Sequence, residues 1–199
     1  MNIKAIETYY QGIWFRSRLE ARWAVFFTRM GVKWEYEREG YQFDNYCYLP
    51  DFWIPEMKAY CEVKPAATQE TPDGVRAQMF QSLLYAGTPS VPVYIIWGSL
   101  GPDDHRIQQP HEDYEGVGDM RFAECRRCGG LSYHHINDSG WGMWTCGVEC
   151  PGERVAFGSV DDSWDNLKIS KAYIAARSER FGSPKKRHPG EALFDPCSS

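Results

Sequence analysis

The sequence predicts an α/β fold in which a helix is followed by a three-strand meander, a second helix and a further strand. Three observations support this prediction: apolar residues at helical spacing within residues 16–30, apolar–polar alternation directly after them, and a short apolar run at residues 91–97 that follows a second helical segment. A cysteine-rich module and a C-terminal helix are predicted to follow this core.

The first helix is predicted over residues 16–30. Four large apolar residues share one face of this segment: Leu19, Trp23, Phe26 and Met30. Gly31 follows directly, and glycine is the residue that most often ends a helix in the left-handed conformation. We therefore expect the helix to stop there.

The meander is predicted from three segments. Val32, Trp34 and Tyr36 alternate with charged residues, which is the two-residue period of a half-buried strand. Two further strands are predicted at residues 47–54 and 58–64, separated by a turn that begins at a proline.

Beyond the meander, residues 66–74 are polar and turn-rich, and a second helix is predicted over residues 75–85, before Gly87. The apolar run at 91–97 is predicted to be a buried strand, and residues 98–118 a loop, because glycine, proline and acidic residues dominate it. A third helix is predicted over about residues 162–181.

Four regions follow from this pass along the chain. We expect a core at residues 1–98, an acidic loop at 99–118, a zinc-ribbon-like module at 119–156, and a basic helix with a C-terminal tail at 157–199.

Composition limits the class of protein. With 199 residues, 43% of them hydrophobic, the chain is long enough to bury roughly 70% of its unfolded surface, which predicts a folded globular protein. The formal net charge of −5 excludes a polybasic coat for nucleic acid but not a local basic patch. There is neither an apolar run long enough to span a membrane nor a recognisable secretory signal, so we expect a cytoplasmic protein with no membrane partner.

The segment with most chemical information is Pro50-Asp51 followed, after ten residues, by Glu62-Val63-Lys64. In a strand, Glu62 and Lys64 lie on one face and Val63 on the other, and an antiparallel neighbour carrying Asp51 would place its carboxylate beside Glu62. Two carboxylates suit Mg²⁺ or Mn²⁺, and a nearby ammonium can orient or deprotonate a water molecule. The alternative is a solvated strand face with an ordinary Glu–Lys pair.

The stretches RSRLEARWAVFF, WEYE, YLPDFWIP and CEVKP, in the predicted order of elements, resemble the PD-(D/E)XK nuclease superfamily, including PDDEXK-like proteins of bacteriophages and bacteria. The resemblance covers residues 13–97. It implies a restriction-endonuclease-like core in which Asp51, Glu62 and the Val63 carbonyl hold catalytic Mg²⁺ or Mn²⁺ and Lys64 is the catalytic lysine.

Two further site residues come from the same resemblance. Glu20 matches an additional acid that some members supply from the first helix; the alternative is an ion pair with Arg16 or Arg22. Gln81 matches a Gln-x-x-x-Tyr element that RecB-like members use near substrate; the alternative is ordinary helix surface. Pro65, directly after the lysine, departs from many relatives and could end the third strand early.

The cysteines indicate a second metal. Cys125-x2-Cys128 is followed, after seventeen residues, by Cys146-x3-Cys150, and an odd total of seven cysteines with a tight foursome favours metal binding over a disulfide framework. Four thiolates form the closed tetrahedral site of structural Zn²⁺. His134 and His135 are alternative ligands, and such a module could also contact nucleic acid.

The sequence and the resemblance together predict a Mg²⁺-dependent deoxyribonuclease, an endonuclease that hydrolyses DNA phosphodiester bonds in a bacterium or a phage-infected cell. Many nucleases of this fold act as homodimers. Four basic residues are candidate DNA contacts: Arg16, Lys168, Lys171 and Arg177. The alternative function is a non-catalytic nucleic-acid-binding zinc protein that retains the nuclease fold.

Overall fold

An eight-stranded, mostly antiparallel sheet organises the part of the chain that the computed structural model describes, which is residues 5–109, 120–125, 128–135, 141–143 and 168–182. Three α-helices accompany the sheet, so the fold is mixed α/β. None of the helices in these ranges is long and apolar enough to cross a membrane.

The chain begins with a hairpin of β1 (Thr8–Tyr10) and β2 (Ile13–Phe15) that lies outside the main sheet. Gln11 and Gly12 form its turn with φ angles of 47° and 86°. Two successive positive φ angles match the twist of a two-residue hairpin loop, and Gly12 adopts its angle without strain. The sequence analysis did not predict this hairpin.

Helix α1 (Arg18–Met30) confirms the first predicted helix. It begins two residues later than predicted because Ser17 is the N-cap, its hydroxyl accepting a hydrogen bond from the backbone N–H of Glu20 at 3.1 Å. Gly31 ends the helix in the left-handed conformation, with φ 77°, as expected.

The predicted meander is present as β3 (Glu35–Tyr36), β6 (Phe52–Ile54) and β7 (Ala59–Lys64), which pair antiparallel in the order β3-β6-β7. Helix α2 (Pro72–Tyr85) then leads to β8 (Val93–Gly98), which pairs parallel with β7. The helix begins before the predicted position because Thr71 caps it and Pro72 fits its first turn.

The prediction of one strand over residues 47–54 is wrong. An inserted hairpin of β4 (Tyr41–Phe43) and β5 (Tyr46–Tyr48) forms a separate two-stranded sheet, and the chain leaves it before β6 begins. Pro50 lies in the gap between β5 and β6, where the absence of a backbone N–H interrupts a strand ladder.

The loop predicted at residues 98–118 contains β9 (His105–Gln108), which pairs antiparallel with β8. Its inward residues, His105 and Ile107, are buried, and the alternation is obscured in the sequence because His105 is itself polar, like Arg106 and Gln108. Beyond it, β10 (Met120–Glu124), β11 (Leu131–His135) and β12 (Trp141–Met143) extend the same sheet, so the described strands of the predicted cysteine-rich module continue the core sheet.

Helix α3 (Lys168–Ser178) lies within the predicted third helix; residues 161–167 and the tail from residue 183 lie outside the described part. Helices α1 and α3 share one apolar cluster with the sheet, whereas α2 packs in a second cluster around Phe80. Strand β7 contributes Val63 to the first cluster and Tyr60 to the second. Both faces of β7 are therefore covered, and the carboxylate of Glu62 on this strand is buried.

His105 is a structural residue between these layers. Its ring lies 5.3 Å from Trp23 of α1 and 5.9 Å from Tyr173 of α3, and its Nδ1 donates a hydrogen bond to the Gly101 carbonyl at 2.7 Å. Burial lowers the pKa of His105 to about 4, so the ring is neutral at physiological pH.

Candidate active site

The antiparallel pairing of β6 with β7 brings Asp51 and Glu62 together. Phe52 pairs with Cys61, so the residue before β6 lies beside Glu62. The backbone N–H of Asp51 donates to Glu62 Oε2 at 3.1 Å, and the backbone N–H of Val63 donates to Asp51 Oδ2 at 2.8 Å. Each carboxylate thus accepts a hydrogen bond from the backbone next to the other. The sequence predicted that Asp51 lies beside Glu62, and their role as metal ligands stays a prediction.

Lys64 lies beside Glu62 at the end of β7. Its Nζ is 2.8 Å from Glu62 Oε1 and 3.3 Å from Oδ2 of Asp73, at the start of α2. Pro65 follows the strand without displacing Lys64 from Glu62. Tyr48, from the inserted hairpin, donates its hydroxyl proton to Glu62 Oε1 at 2.7 Å, so that oxygen accepts from two donors.

Glu20 approaches the pair from the first turn of α1. Its Oε2 accepts from the Tyr36 hydroxyl at 2.5 Å and from the backbone N–H of Arg16 at 3.1 Å. The Arg16 guanidinium pairs with Glu37 instead of Glu20. The alternative of an ion pair between the side chains of Glu20 and Arg16 is therefore wrong.

Burial sets the electrostatics of this carboxylate cluster, which we define as Glu20, Asp51 and Glu62. Their exposed fractions are 8%, 7% and 1%. Burial, then the charges of Glu62 and Glu20, raise the pKa of Asp51 well above its ordinary value, and burial likewise raises the pKa of Glu20. Lys64 is the ammonium that contacts the cluster within the described residues.

Lys64 is held in its charged form. Burial alone would lower the pKa of Lys64, but the charges of Glu62, Asp51 and Asp73 outweigh that effect and raise the pKa above its ordinary value. An ammonium in this position can donate hydrogen bonds and stabilise negative charge, but it cannot accept a proton until it loses one.

The donor set of the carboxylate cluster fits a hard divalent cation. Asp51 uses Oδ2 and Glu20 uses Oε2 in the hydrogen bonds given above, and the Ser17 side chain also hydrogen-bonds the Glu20 carboxyl. No group of three His, Cys, Asp or Glu side chains in those residues is already gathered around one point. Mg²⁺ commonly binds through one or two carboxylates and keeps several waters, so a two-carboxylate site suffices.

Three functional candidates were missed in the sequence analysis: Tyr36, Tyr48 and Asp73. The two tyrosines are bound to Glu20 and Glu62 by their hydroxyls, yet in the sequence they are indistinguishable from strand aromatics that fill a core. Asp73 is the acidic residue of the first turn of α2, where carboxylates are common for the helix dipole alone. No sequence signal separated these residues from their structural counterparts.

Gln81 is buried and hydrogen-bonded within the protein. It is 4% exposed, and its Nε2 donates to the Val93 carbonyl at 2.7 Å while its Oε1 accepts from Gln108 Nε2 at 2.9 Å. Both polar groups are used to hold α2 to β8 and β9. Because Gln81 is buried, the alternative of ordinary helix surface is wrong, and the described contacts give this residue a structural role. A contact with substrate stays a prediction.

Lys168, the first residue of α3, is remote from the carboxylate cluster. Lys168 Nζ donates to the Met30 carbonyl at 2.8 Å, at the opposite end of α1 from Glu20 and about 15 Å away along the helix axis. Lys168 and Lys171 line a cleft of about 420 Å³ together with Arg29. Arg177 lies 3.7 Å from Oδ2 of Asp104. Among the predicted DNA contacts, Arg16 is the one that the structure brings to the cluster.

The first cysteine pair forms a tight turn after β10. The backbone N–H of Gly129 donates to the Cys125 carbonyl at 2.8 Å, and that of Gly130 donates to Cys128 Sγ at 3.4 Å. Gly129 has a φ of 66°, which a non-glycine residue rarely adopts. Backbone N–H donation to sulfur suits a metal-bound thiolate. Cys146 and Cys150, and the side chains of His134 and His135, lie outside the described part.

Comparisons with protein-family models, with curated proteins and with solved structures found no match to this chain. The functional interpretation therefore depends on the chemistry of the site and on the resemblance in its motifs.

Proposed function

We propose that the protein is a divalent-metal-dependent endonuclease that hydrolyses DNA phosphodiester bonds. The observation that carries the proposal is a set of three buried carboxylates, Glu20, Asp51 and Glu62, of which Glu62 contacts the Lys64 ammonium at 2.8 Å. When ionised, this group has a surplus of two negative charges. A divalent cation would neutralise that surplus, whereas burying the charges without a cation is unfavourable.

Asp51, Glu62 and Glu20 are the residues that would hold Mg²⁺ or Mn²⁺; the Val63 carbonyl stays a predicted ligand. When bound, such a cation stabilises negative charge on a phosphate oxygen and lowers the pKa of a bound water. The Lys64 ammonium would donate a hydrogen bond to the phosphate or to the attacking water. Tyr48 and Tyr36 would orient Glu62 and Glu20 through their hydroxyls.

A non-catalytic nucleic-acid-binding role is the second candidate, and one observation favours it. Glu62 accepts hydrogen bonds from Tyr48, Lys64 and the Asp51 backbone, so protein donors already satisfy much of this carboxylate. Such a network could persist as a structural remnant of a nuclease site. Turnover separates the two candidates, since a binding protein would retain affinity for nucleic acid and cleave none.

A cleavage panel tests the proposal. Supercoiled, linear, single-stranded and branched DNA are incubated with the protein and Mg²⁺, Mn²⁺ or EDTA. We expect cleavage of at least one substrate with either cation and none in EDTA. Intact DNA in every condition, from protein whose fold is verified by circular dichroism, would contradict the proposal and support the non-catalytic role.

Structural zinc is the second cofactor in this proposal. Cys125 and Cys128, in the turn described above, would bind Zn²⁺ together with Cys146 and Cys150. Metal analysis of protein purified in reducing, chelator-free buffer should give about one zinc per chain. Cys125→Ser should lower that content, and Cys47→Ser, at a half-buried position on β5, should not. Zinc-free wild-type protein would refute this assignment.

A further inference from the structure

The outer face of the β1–β2 hairpin presents an aromatic platform, which we define as Tyr9 and Trp14. They are cross-strand partners whose ring centroids lie 5.2 Å apart. Tyr9 is 40% exposed and Trp14 is half-buried. On the opposite face of the hairpin, Tyr10, Ile13 and Phe15 pack with the main core. The hairpin is therefore anchored by its inner face, and the aromatic platform lies on the other face.

The aromatic platform lies directly before the candidate active site in the chain. Arg16 follows Trp14 by two residues, at most about 7 Å of chain, and its backbone N–H donates to Glu20 Oε2 at 3.1 Å. The Arg16 side chain is 42% exposed although it pairs with Glu37. Arg18, the first residue of α1, is also exposed. Two aromatic rings, two arginines and a buried carboxylate thus follow one another on a short segment.

This succession matches the chemistry of an unpaired nucleic acid strand. Single-strand-binding surfaces combine aromatic rings, on which bases stack, with cations that follow the phosphates. In an intact duplex the base faces are covered by neighbouring base pairs, so exposed rings gain little from it. Stacking on Tyr9 or Trp14 would therefore favour a single strand, or an unpaired segment within a larger DNA, over continuous duplex.

We propose that the aromatic platform binds unpaired bases, with Arg16 and Arg18 contacting the adjacent phosphates, and that an unpaired strand is consequently the substrate class of the carboxylate cluster. Only the last step rests on the proposed nuclease function. The binding step stands alone and is measurable without cleavage.

Fluorescence anisotropy in buffer without divalent cations tests the binding step. The probes are a labelled oligo(dT) of about 15 nucleotides, near the upper site size of single-strand-binding folds, and a blunt dT·dA duplex of the same length. We expect the wild-type protein to bind the single strand more tightly than the duplex. Trp14→Ala should weaken single-strand binding by at least about five-fold, the low end of what stacking of one base contributes.

Two variants serve as controls for this measurement. Trp14→Phe keeps an aromatic face and should retain most of the affinity, and Ile174→Ala, at an exposed position on α3, should bind as the wild type does. If Trp14→Ala is misfolded by circular dichroism, Tyr9→Ala provides the same test at the more exposed ring. Equal affinity for single strand and duplex, or unchanged binding by the folded alanine variant, would overturn the inference.

The cleavage panel distinguishes failure of this inference from failure of the proposed function. If the protein cuts no DNA but its binding to a single strand depends on Trp14, the inference about the aromatic platform holds and the proposed nuclease function is wrong. If the protein cleaves continuous duplex with a divalent cation but its binding to oligo(dT) does not depend on Trp14, the proposed nuclease function holds and the inference about the aromatic platform is wrong.

Discussion

Replacing Lys64 by methionine is expected to lower kcat for Mg²⁺-dependent DNA cleavage by about 10²–10⁴-fold, the range for loss of a group that assists proton transfer or stabilises charge in the transition state. Lys64 is the ammonium beside Glu62, at 2.8 Å, and methionine keeps much of its length while removing the charge. The effect should fall on kcat more than on KM, because one ammonium is a small part of DNA binding but acts where charge develops.

Lys33→Met is the matched control, since Lys33 is exposed on the segment between α1 and β3 and should be replaceable without effect. Lys64→Arg separates two roles of the lysine. An arginine keeps the positive charge but does not give up its proton, so activity near the wild-type level would indicate that Lys64 acts through its charge. If correctly folded Lys64→Met protein has full activity, Lys64 does not take part in catalysis.

Replacing Asp51 by asparagine is expected to stabilise the metal-free protein at neutral pH. Asp51 is buried next to Glu62 and near Glu20, and its raised pKa means that the folded state holds the proton more tightly than the unfolded chain does. The sign follows from this: the stability that Asp51 contributes is present at low pH and is lost as pH rises above the ordinary carboxyl range. Asparagine is neutral at every pH and can still accept from the Val63 N–H through its amide oxygen.

Thermal unfolding in buffer freed of divalent cations measures this effect. Asp51→Asn should have a higher Tm than the wild type at pH 7.5, and this gain should shrink towards pH 4. Asp44→Asn, at the exposed tip of the β4–β5 hairpin, should leave Tm unchanged. A lower Tm for Asp51→Asn at pH 7.5 would show that this carboxylate stabilises the fold without a cation, contrary to the electrostatic account.

The core of the fold was predictable because its signals are local. Ser17 and Gly31 mark the ends of α1, and the alternation in β7 separates Glu62 and Lys64 from Val63. The pairing of Asp51 with Glu62 followed from a short turn between two strands, which permits only an antiparallel neighbour. These parts of the site depend on periodicity and turn chemistry, and both can be read along the chain.

The remaining parts depend on contacts between distant segments. Tyr48 reaches Glu62 because an unpredicted hairpin is inserted before β6, and Tyr36 reaches Glu20 because β3 lies beside the start of α1. Gln81 looked like a substrate contact, yet α2 turns it towards β8 and β9. The type of a polar residue does not indicate whether its side chain is exposed to solvent or hydrogen-bonded to a carbonyl inside the protein. The sequence alone therefore could not predict these contacts.

The central claim is that the carboxylate cluster binds a divalent cation, and calorimetric titration of Mn²⁺ at pH 7.5 tests it most directly, without requiring the substrate to be known. The wild-type protein and the Asp44→Asn control should bind Mn²⁺ at the cluster, and Asp51→Asn should lose that binding event while the fold and the zinc content stay intact. Binding of Mn²⁺ by Asp51→Asn with wild-type affinity, or no binding by the folded wild-type protein, would contradict the account.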